Sequence, residues 1–160
     1  MHPTRNDLTD ATRRKVAELL STRLATAIDL ALQAKQAHWN VKGPNFIALH
    51  ELFDSIAATA HGHADELAER IAALGGTADG TVQAIVRHSA LAPYAASLAT
   101  GNGHLEALAD AVAAAARLIR AGIDAADEAG DAVTADLCTE IAGTLDQKLW
   151  LVEAHLQSAA

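Results

Sequence analysis

The sequence predicts an all-α protein, a four-helix bundle with one long crossover. Three observations carry that expectation. Apolar residues make up 51% of the 160 and aromatic residues only 3%, with alanine and leucine supplying most of the apolar content. Both lose little side-chain entropy in a helix, whereas a sheet draws on β-branched and aromatic residues. Proline occurs only at Pro3, Pro44 and Pro93, so long stretches lack a helix breaker. Finally, apolar residues recur at three- and four-residue spacing through four long segments. The length suits a single domain, residues 1–160, with a short N-terminal extension at about 1–7.

The first helix should begin between Asp7 and Asp10, where "NDLTDATRRKVAELL" offers N-cap residues and early acidic groups. Val16, Leu20, Leu24, Ala27, Ala31 and Ala34 form its inner face, and it should stop near Trp39, ahead of Gly43-Pro44. Pro44 suits the first turn of the second helix because its missing N–H has no intrahelical partner there. That helix should run to Leu74 and be capped by Gly75-Gly76. Residues 77–101 read as a connection carrying a short helix around Thr81 to Arg87. The third long helix, Asn102 to Glu128, turns Leu105, Leu108, Val112, Ala115, Ile119 and Ile123 inward. After the tight link "EAGDAV", the fourth spans Ala132 to Leu156, with Leu137, Ile141, Leu145, Leu149 and Val152 inward. A single crossover between the second and third long helices is the ferritin-like variant of the four-helix bundle.

Charge and cysteine content narrow the functional classes. The net charge of −8 argues against binding free polyanions and suits the attraction of cations. The single cysteine, Cys138, cannot form an internal disulfide, which points to a reducing compartment, the cytoplasm. "MHPTRNDLTD" lacks the apolar core of a signal peptide. No apolar run approaches the ~20 residues that span a bilayer, so no membrane is expected. Cys138 reads as a small apolar packing residue and Trp150 as core or interface.

The second helix carries the chemistry. His50, Asp54, Asp65 and Glu69 fall at roughly 0°, 40°, 60° and 100° on a helical wheel, one stripe. His50/Asp54 and Asp65/Glu69 are i,i+4 pairs, the spacing that brings two side chains to one metal. One such pair alone is ordinary solvated surface; two on one stripe, with His38 nearby, are a candidate metal site. Asp54 and Asp65 lie ~16 Å apart along the axis, against ligand bonds of ~2 Å, so the pairs cannot hold the same ion within one chain. Either there are two half-sites or a second copy completes each one. Packing the helix antiparallel on itself, with a two-fold axis near Thr59–Ala60 in the small-residue segment "AATAHGH", sets His50/Asp54 of one chain against Asp65/Glu69 of the other. Nitrogen and carboxylate ligands together suit iron, manganese or zinc more than calcium.

"AHWNVKGPNFIALHELFD", followed by "HADELAERIAALGG" and later "LDQKLWLVEAHL", resembles the Dps family, the miniferritins named as DNA-binding proteins from starved cells. The likeness runs from about Thr4 to Gln157, and the pattern His-x11-His-x3-Asp-x10-Asp-x3-Glu is complete. The resemblance implies that His38, His50 and Asp54 come from one subunit and Asp65 and Glu69 from its two-fold mate. Together they would form a dinuclear iron ferroxidase centre. It also implies a dodecameric hollow shell that oxidises Fe(II), preferably with hydrogen peroxide, and stores ferric mineral. By analogy Trp39 would sit beside the centre and intercept radicals.

The remaining features are weaker. No Glu-x-x-His motif of the intrachain di-iron kind occurs. His61 and His63 lie near the proposed axis and read as solvated or hydrogen-bonded interface histidines, with additional metal binding as the alternative. Asp124, Asp127, Glu128, Asp131 and Asp136 cluster at the last helix-helix turn. They are either a solvated helix end or, as in the family, part of a three-fold iron-entry pore. The alternative function is a nucleoid-compacting DNA binder with secondary metal binding. Family members that bind DNA commonly carry a lysine-rich tail, whereas here Arg13, Arg14 and Lys15 form one small basic patch and "HLQSAA" has none. DNA binding is therefore expected to be weak or absent.

Overall fold

The computed structural model describes residues 1–98 and 100–157. Its elements are α1 (Asp10–Asn40), α2 (Phe46–Ala73), α3 (Val82–His88), α4 (Gly101–Glu128) and α5 (Ala132–Leu156). The four long helices form the bundle and α3 lies in the crossover, as the sequence predicts. Helix α1 packs against α2, α4 against α5, and α1 also against α4. Among the described residues, no helix is long and apolar enough to cross a membrane.

Local chemistry fixes the helix ends. Thr9 caps α1 by accepting from the Thr12 N–H at 3.1 Å, and Thr100 caps α4 by accepting from Gly103. Helices α2 and α4 end alike. Gly75 and Gly130 adopt φ of +82° and +80°, and the next residues, Gly76 and Asp131, donate back to Ile71 and Ala126, each at 2.9 Å. This six-to-one closure satisfies carbonyls that the helix end would otherwise orphan. Helix α2 begins at Phe46 rather than Pro44. Its Asn45 cap follows a turn in which the Phe46 N–H donates to the Gly43 carbonyl at 3.1 Å, and Pro44 is used within that turn.

The predicted inner faces are largely those observed. Val16, Leu20, Leu24, Ala27, Ala31 and Ala34 are all buried, as are Leu105, Leu108, Val112, Ala115 and Ile119. Ile123, Leu137 and Leu149 sit at the core edge, half-buried. Cys138 is fully enclosed among apolar side chains, as expected. Trp150, by contrast, is exposed, which removes its core option. The crossover is stitched to α1: the Ala90 N–H donates to Thr26 Oγ1 and Gln33 Nε2 donates to the Ala92 carbonyl.

One polar joint ties the two helix pairs together. Asp131 caps α5 by accepting from the Thr134 N–H at 3.0 Å, and Arg70 of α2 grips both its oxygens at 2.7 and 2.9 Å. Its side chain is 1% exposed. Asp131 therefore does not belong to a solvated or pore-lining acidic cluster; its carboxylate is consumed by this joint. Burial alone would push the carboxyl up, but hydrogen bonds from Thr134 and Arg70 outweigh it and hold the pKa below the ordinary value.

Removing one partner strands the other in the interior, so Asp131→Ala should cost on the order of 3 kcal/mol. A depressed carboxyl stabilises the fold above the unfolded-state pKa, near 4, and that contribution fades as pH falls through the folded-state pKa. The gap in urea midpoint between wild type and Asp131→Asn should thus be widest at neutral pH and close in acid. A gap unchanged down to full protonation would contradict the joint.

Candidate metal centre

The α1–α2 corner brings two histidines face to face. His38 lies in the last turn of α1 and His50 in the second turn of α2. Their rings stack with centroids 3.6 Å apart and planes 24° apart. His38 Nδ1 lies 2.8 Å from the His50 carbonyl oxygen, and His50 Nδ1 lies 2.9 Å from the His38 carbonyl oxygen. A carbonyl only accepts, so each Nδ1 carries the ring proton and donates. In the neutral ring each Nε2 is then left with a lone pair, the arrangement by which a backbone carbonyl orients a metal-binding imidazole. Phe46 flanks His50 at 5.0 Å.

Asp54, one turn beyond His50, is exposed and ion-paired with Lys35 of α1 at 2.5 Å. The hydrogen bond from Lys35 holds its carboxyl below the ordinary value. Lys35 precedes His38 by three residues and so shares its face of α1. That spacing was a usable signal for Lys35, which sequence reasoning missed. Trp39 is 67% exposed, next to His38 in the chain.

Further along α2, Asp65 and Glu69 are exposed, as are Ala58, His61 and Gly62 between the His50/Asp54 and Asp65/Glu69 pairs. The stripe read from the helical wheel is therefore real surface, with small residues at its middle. Among the described residues neither Asp65 nor Glu69 has a side-chain hydrogen bond or an ion pair. Burial, then Glu140 and Asp65, push the carboxyl of neighbouring Glu66 up. Among the described residues no three histidine, cysteine, aspartate or glutamate side chains gather into a metal site within the chain. The structure joins His38 to His50, with Asp54 one turn on. Asp65 and Glu69 stand apart from them on the same helix.

Two expectations need correction. His63 is not an interface histidine. It is buried in the bundle and lines a small apolar cavity with Arg23, Thr26, Leu30, Ile119 and Leu145, where burial and then Lys148 hold its pKa down. Arg13 is not part of a basic surface patch. It is 7% exposed, donates to the Leu74 carbonyl and pairs with Asp10, leaving only Arg14 and Lys15 outside. Asp124, Asp127, Glu128 and Asp136 are exposed as anticipated.

A family model described as the ferritin-like domain matches residues 17–160. A DNA protection during starvation protein of Agrobacterium fabrum is 46% identical over 156 residues, covering 98% of this chain and 96% of the relative. The tetragonal form of Mycobacterium smegmatis Dps superposes with a TM-score of 0.93 at 39% identity, covering 99% of this chain and 96% of that one. Dps from Microbacterium arborescens, solved in a high iron form, gives a TM-score of 0.86 at 36% identity, covering 92% and 96%.

The reciprocal carbonyl contacts make a direct prediction. At a pH where both rings are neutral, His38 and His50 should be Nδ1–H tautomers, as read by 15N solid-state NMR of ring-labelled protein or by neutron diffraction. A proton on Nε2 of either ring would rule the arrangement out.

Proposed function

The chain belongs to the ferritin-like family, among its Dps members, and from that footing we propose an iron-storage and detoxification protein. It oxidises Fe(II), preferably with hydrogen peroxide, and keeps the ferric product as mineral inside a hollow shell, twelve subunits in the family pattern. The compartment is the reducing cytoplasm. The observation that carries the reading is the pair of imidazoles beside Asp54, with both Nε2 lone pairs free for metal and both Nδ1 protons already committed.

Iron is substrate here, and the residues divide its handling. His38, His50 and Asp54 of one subunit bind Fe(II). Asp65 and Glu69 of the two-fold mate, packed through α2, complete the dinuclear site. Neutral imidazoles suit Fe(II), and carboxylates favour the Fe(III) product. Peroxide takes up two electrons, so a site holding two ferrous ions reduces it to water with two protons and releases no radical. Few protein ligands per iron leave open positions for peroxide. Trp39, exposed beside His38, stands where it intercepts a stray one-electron oxidant.

The alternative, a DNA-compacting protein, is disfavoured by charge. The sequence carries −8, Arg13 is withdrawn into structure, and the His2 N–H is bonded to the Gly75 carbonyl, which lays the N-terminal residues on the body. Affinity for duplex depends on phosphates neutralised, and Arg14 and Lys15 offer few. Relatives are named for protecting DNA; consuming Fe(II) and peroxide protects it without contact.

Mixing separates a shared site from an intrachain one. The variants His50→Ala/Asp54→Ala and Asp65→Ala/Glu69→Ala should each oxidise Fe(II) with peroxide at no more than a few per cent of the wild-type rate. Co-assembled at random from equal amounts, they should recover activity equal to about a quarter of the sites, because one site of each mixed dimer is intact. No recovery in verified mixed assemblies would sink the two-chain site. In gel-shift assays at about 150 mM salt the assembled protein should leave duplex DNA unretarded, and firm retardation would reverse the reading.

A further inference from the structure

Tyr94 and His104 form a pair that the metal centre does not use. Tyr94, the one tyrosine of the chain, lies in the crossover after α3; His104 lies in the first turn of α4. The phenol oxygen stands 2.5 Å from His104 Nδ1, and the two rings are within 13° of parallel. His104 is 1% exposed, and Phe53 meets its ring edge-on with centroids 6.5 Å apart. His104 Nε2 is enclosed without a well-formed hydrogen bond. Burial lowers the His104 pKa, and the Asn40 backbone partly opposes that by favouring the charged ring. Burial also pushes the Tyr94 phenol up to about 12.

This chemistry favours coupled loss of an electron and a proton. The half-buried phenol does not ionise at neutral pH. Stripping an electron alone would leave a radical cation with little solvent. A neutral imidazole at hydrogen-bond distance removes that cost, because an oxidised phenol is a strong acid that even a weak base deprotonates. In the tautomer with its proton on Nε2, neutral His104 presents Nδ1 as acceptor to the Tyr94 hydroxyl, and the Asn40 backbone lies within reach of the ring. Asn40 is two residues from His38, so the pair touches the same chain end as the candidate ligand.

We propose that Tyr94 is a redox-active tyrosine, with His104 as its proton acceptor, that takes up one-electron oxidising equivalents escaping the metal centre. The source of those equivalents rests on the ferroxidase reading; the chemistry of the pair does not. When a single Fe(II) splits peroxide, it becomes Fe(III) and yields hydroxide and hydroxyl radical. Tyr94 gives one electron to the hydroxyl radical, which becomes hydroxide, and passes its phenolic proton to His104 Nδ1. The O–H bond breaks, an N–H bond forms, and a neutral phenoxyl faces an imidazolium. A second Fe(II) returns the electron and the imidazolium returns the proton. The sum is one peroxide and two Fe(II) converted to two Fe(III) and two hydroxides. Tyr94 thus holds the missing electron's place until the second iron arrives.

The test uses the full assembled protein without iron, oxidised by a laser flash on ruthenium tris-bipyridine with persulfate. Transient absorption should show the narrow phenoxyl band, distinct from indolyl radicals of the exposed Trp39 and Trp150. The band should form more slowly in heavy water and vanish in Tyr94→Phe, which removes one oxygen atom. In His104→Gln, with folding verified by circular dichroism, it should form at least about tenfold more slowly and depend on buffer concentration. Only indolyl radicals in wild type, or an unchanged rate in His104→Gln, would overturn the pair. A second arm adds Fe(II) and limiting peroxide and reads the phenoxyl by freeze-quench electron paramagnetic resonance. A phenoxyl under light with none from iron would overturn the link to the centre. A protein that does not oxidise iron at all would overturn the ferroxidase reading and leave the flash result standing.

Discussion

The turn from α1 into α2 is the constraint on which the candidate centre depends. Val41 leaves α1 in extended backbone and buries its side chain, and Gly43 takes φ +114°, a region L side chains rarely adopt. With Pro44 fixing the next φ, the chain reverses within a few residues and α2 returns along α1. Small Ala34 and Ala37 share the core beneath this corner with large Leu49 and Phe53. That register sets His50 opposite His38, each ring bonded to the other's backbone. A slip of one residue would swing His50 by about 100° and break both contacts together. The site is thus preorganised by backbone, through groups that are themselves held by helix packing.

How much of this was legible in sequence depends on whether the information is local. Helices were legible because an alanine-rich periodic pattern has little other use. The bounds of α5 were read without error because Gly130 and Asp131 are adjacent stop and start signals. The start of α2 was misplaced because Pro44 suits a helix start and a turn equally, and the Gly43–Phe46 hydrogen bond decided for the turn. The exposed stripe was legible since it needs only the period of one helix. The partnership of His38 with His50 was not, since it depends on how two helices meet, and it entered the reading through resemblance. Asp131, Arg13 and His63 were misjudged for the same reason. Their fates are set by Arg70, Leu74 and the α5 side of the bundle, all distant in sequence.

A bundle built on alanine lets helix axes approach closely and leaves little room for water, which sharpens the choice facing each interior polar group. Asp131 is resolved completely, with Thr134 and Arg70 on both oxygens. Arg23 is resolved only in part. Its Nη1 donates to the Leu19 carbonyl at 2.7 Å, while Nε is buried without a partner. The guanidinium lies so close over Gly122 that a Cβ there would come within 2.5 Å of Nε, so any larger residue at that point of α4 would have to push the Arg23 side chain aside. Burial lowers the Arg23 pKa, with Cys138 acting weakly the other way. His104 is the third case, its Nδ1 bonded and its Nε2 enclosed, and there the incompleteness coincides with a group able to accept a proton.

The electrostatics of α2 bear on the proposed two-chain centre. Facing copies of an acidic stripe would repel if each half were equally charged. They are not. Lys35 already pairs with Asp54, and the two imidazoles beside it commit their Nδ1 protons to backbone carbonyls. Asp65 and Glu69 carry their charge without a cation among the described residues. On the antiparallel reading, a half that already holds Lys35 against Asp54 meets a half with two carboxylates unpaired among the described residues, so the facing stripes are not two equal acidic surfaces. The same arrangement bears on how Fe(II) would enter under the proposed function. On the proposed ferroxidase reading it would displace Lys35 from Asp54, exchanging an exposed lysine contact, which contributes little, for metal bonds to that carboxylate and to the two imidazoles. Lys35 thus holds the Asp54 carboxylate in place and its pKa below the ordinary value, and on the proposed reading it would yield at small cost to a divalent ion.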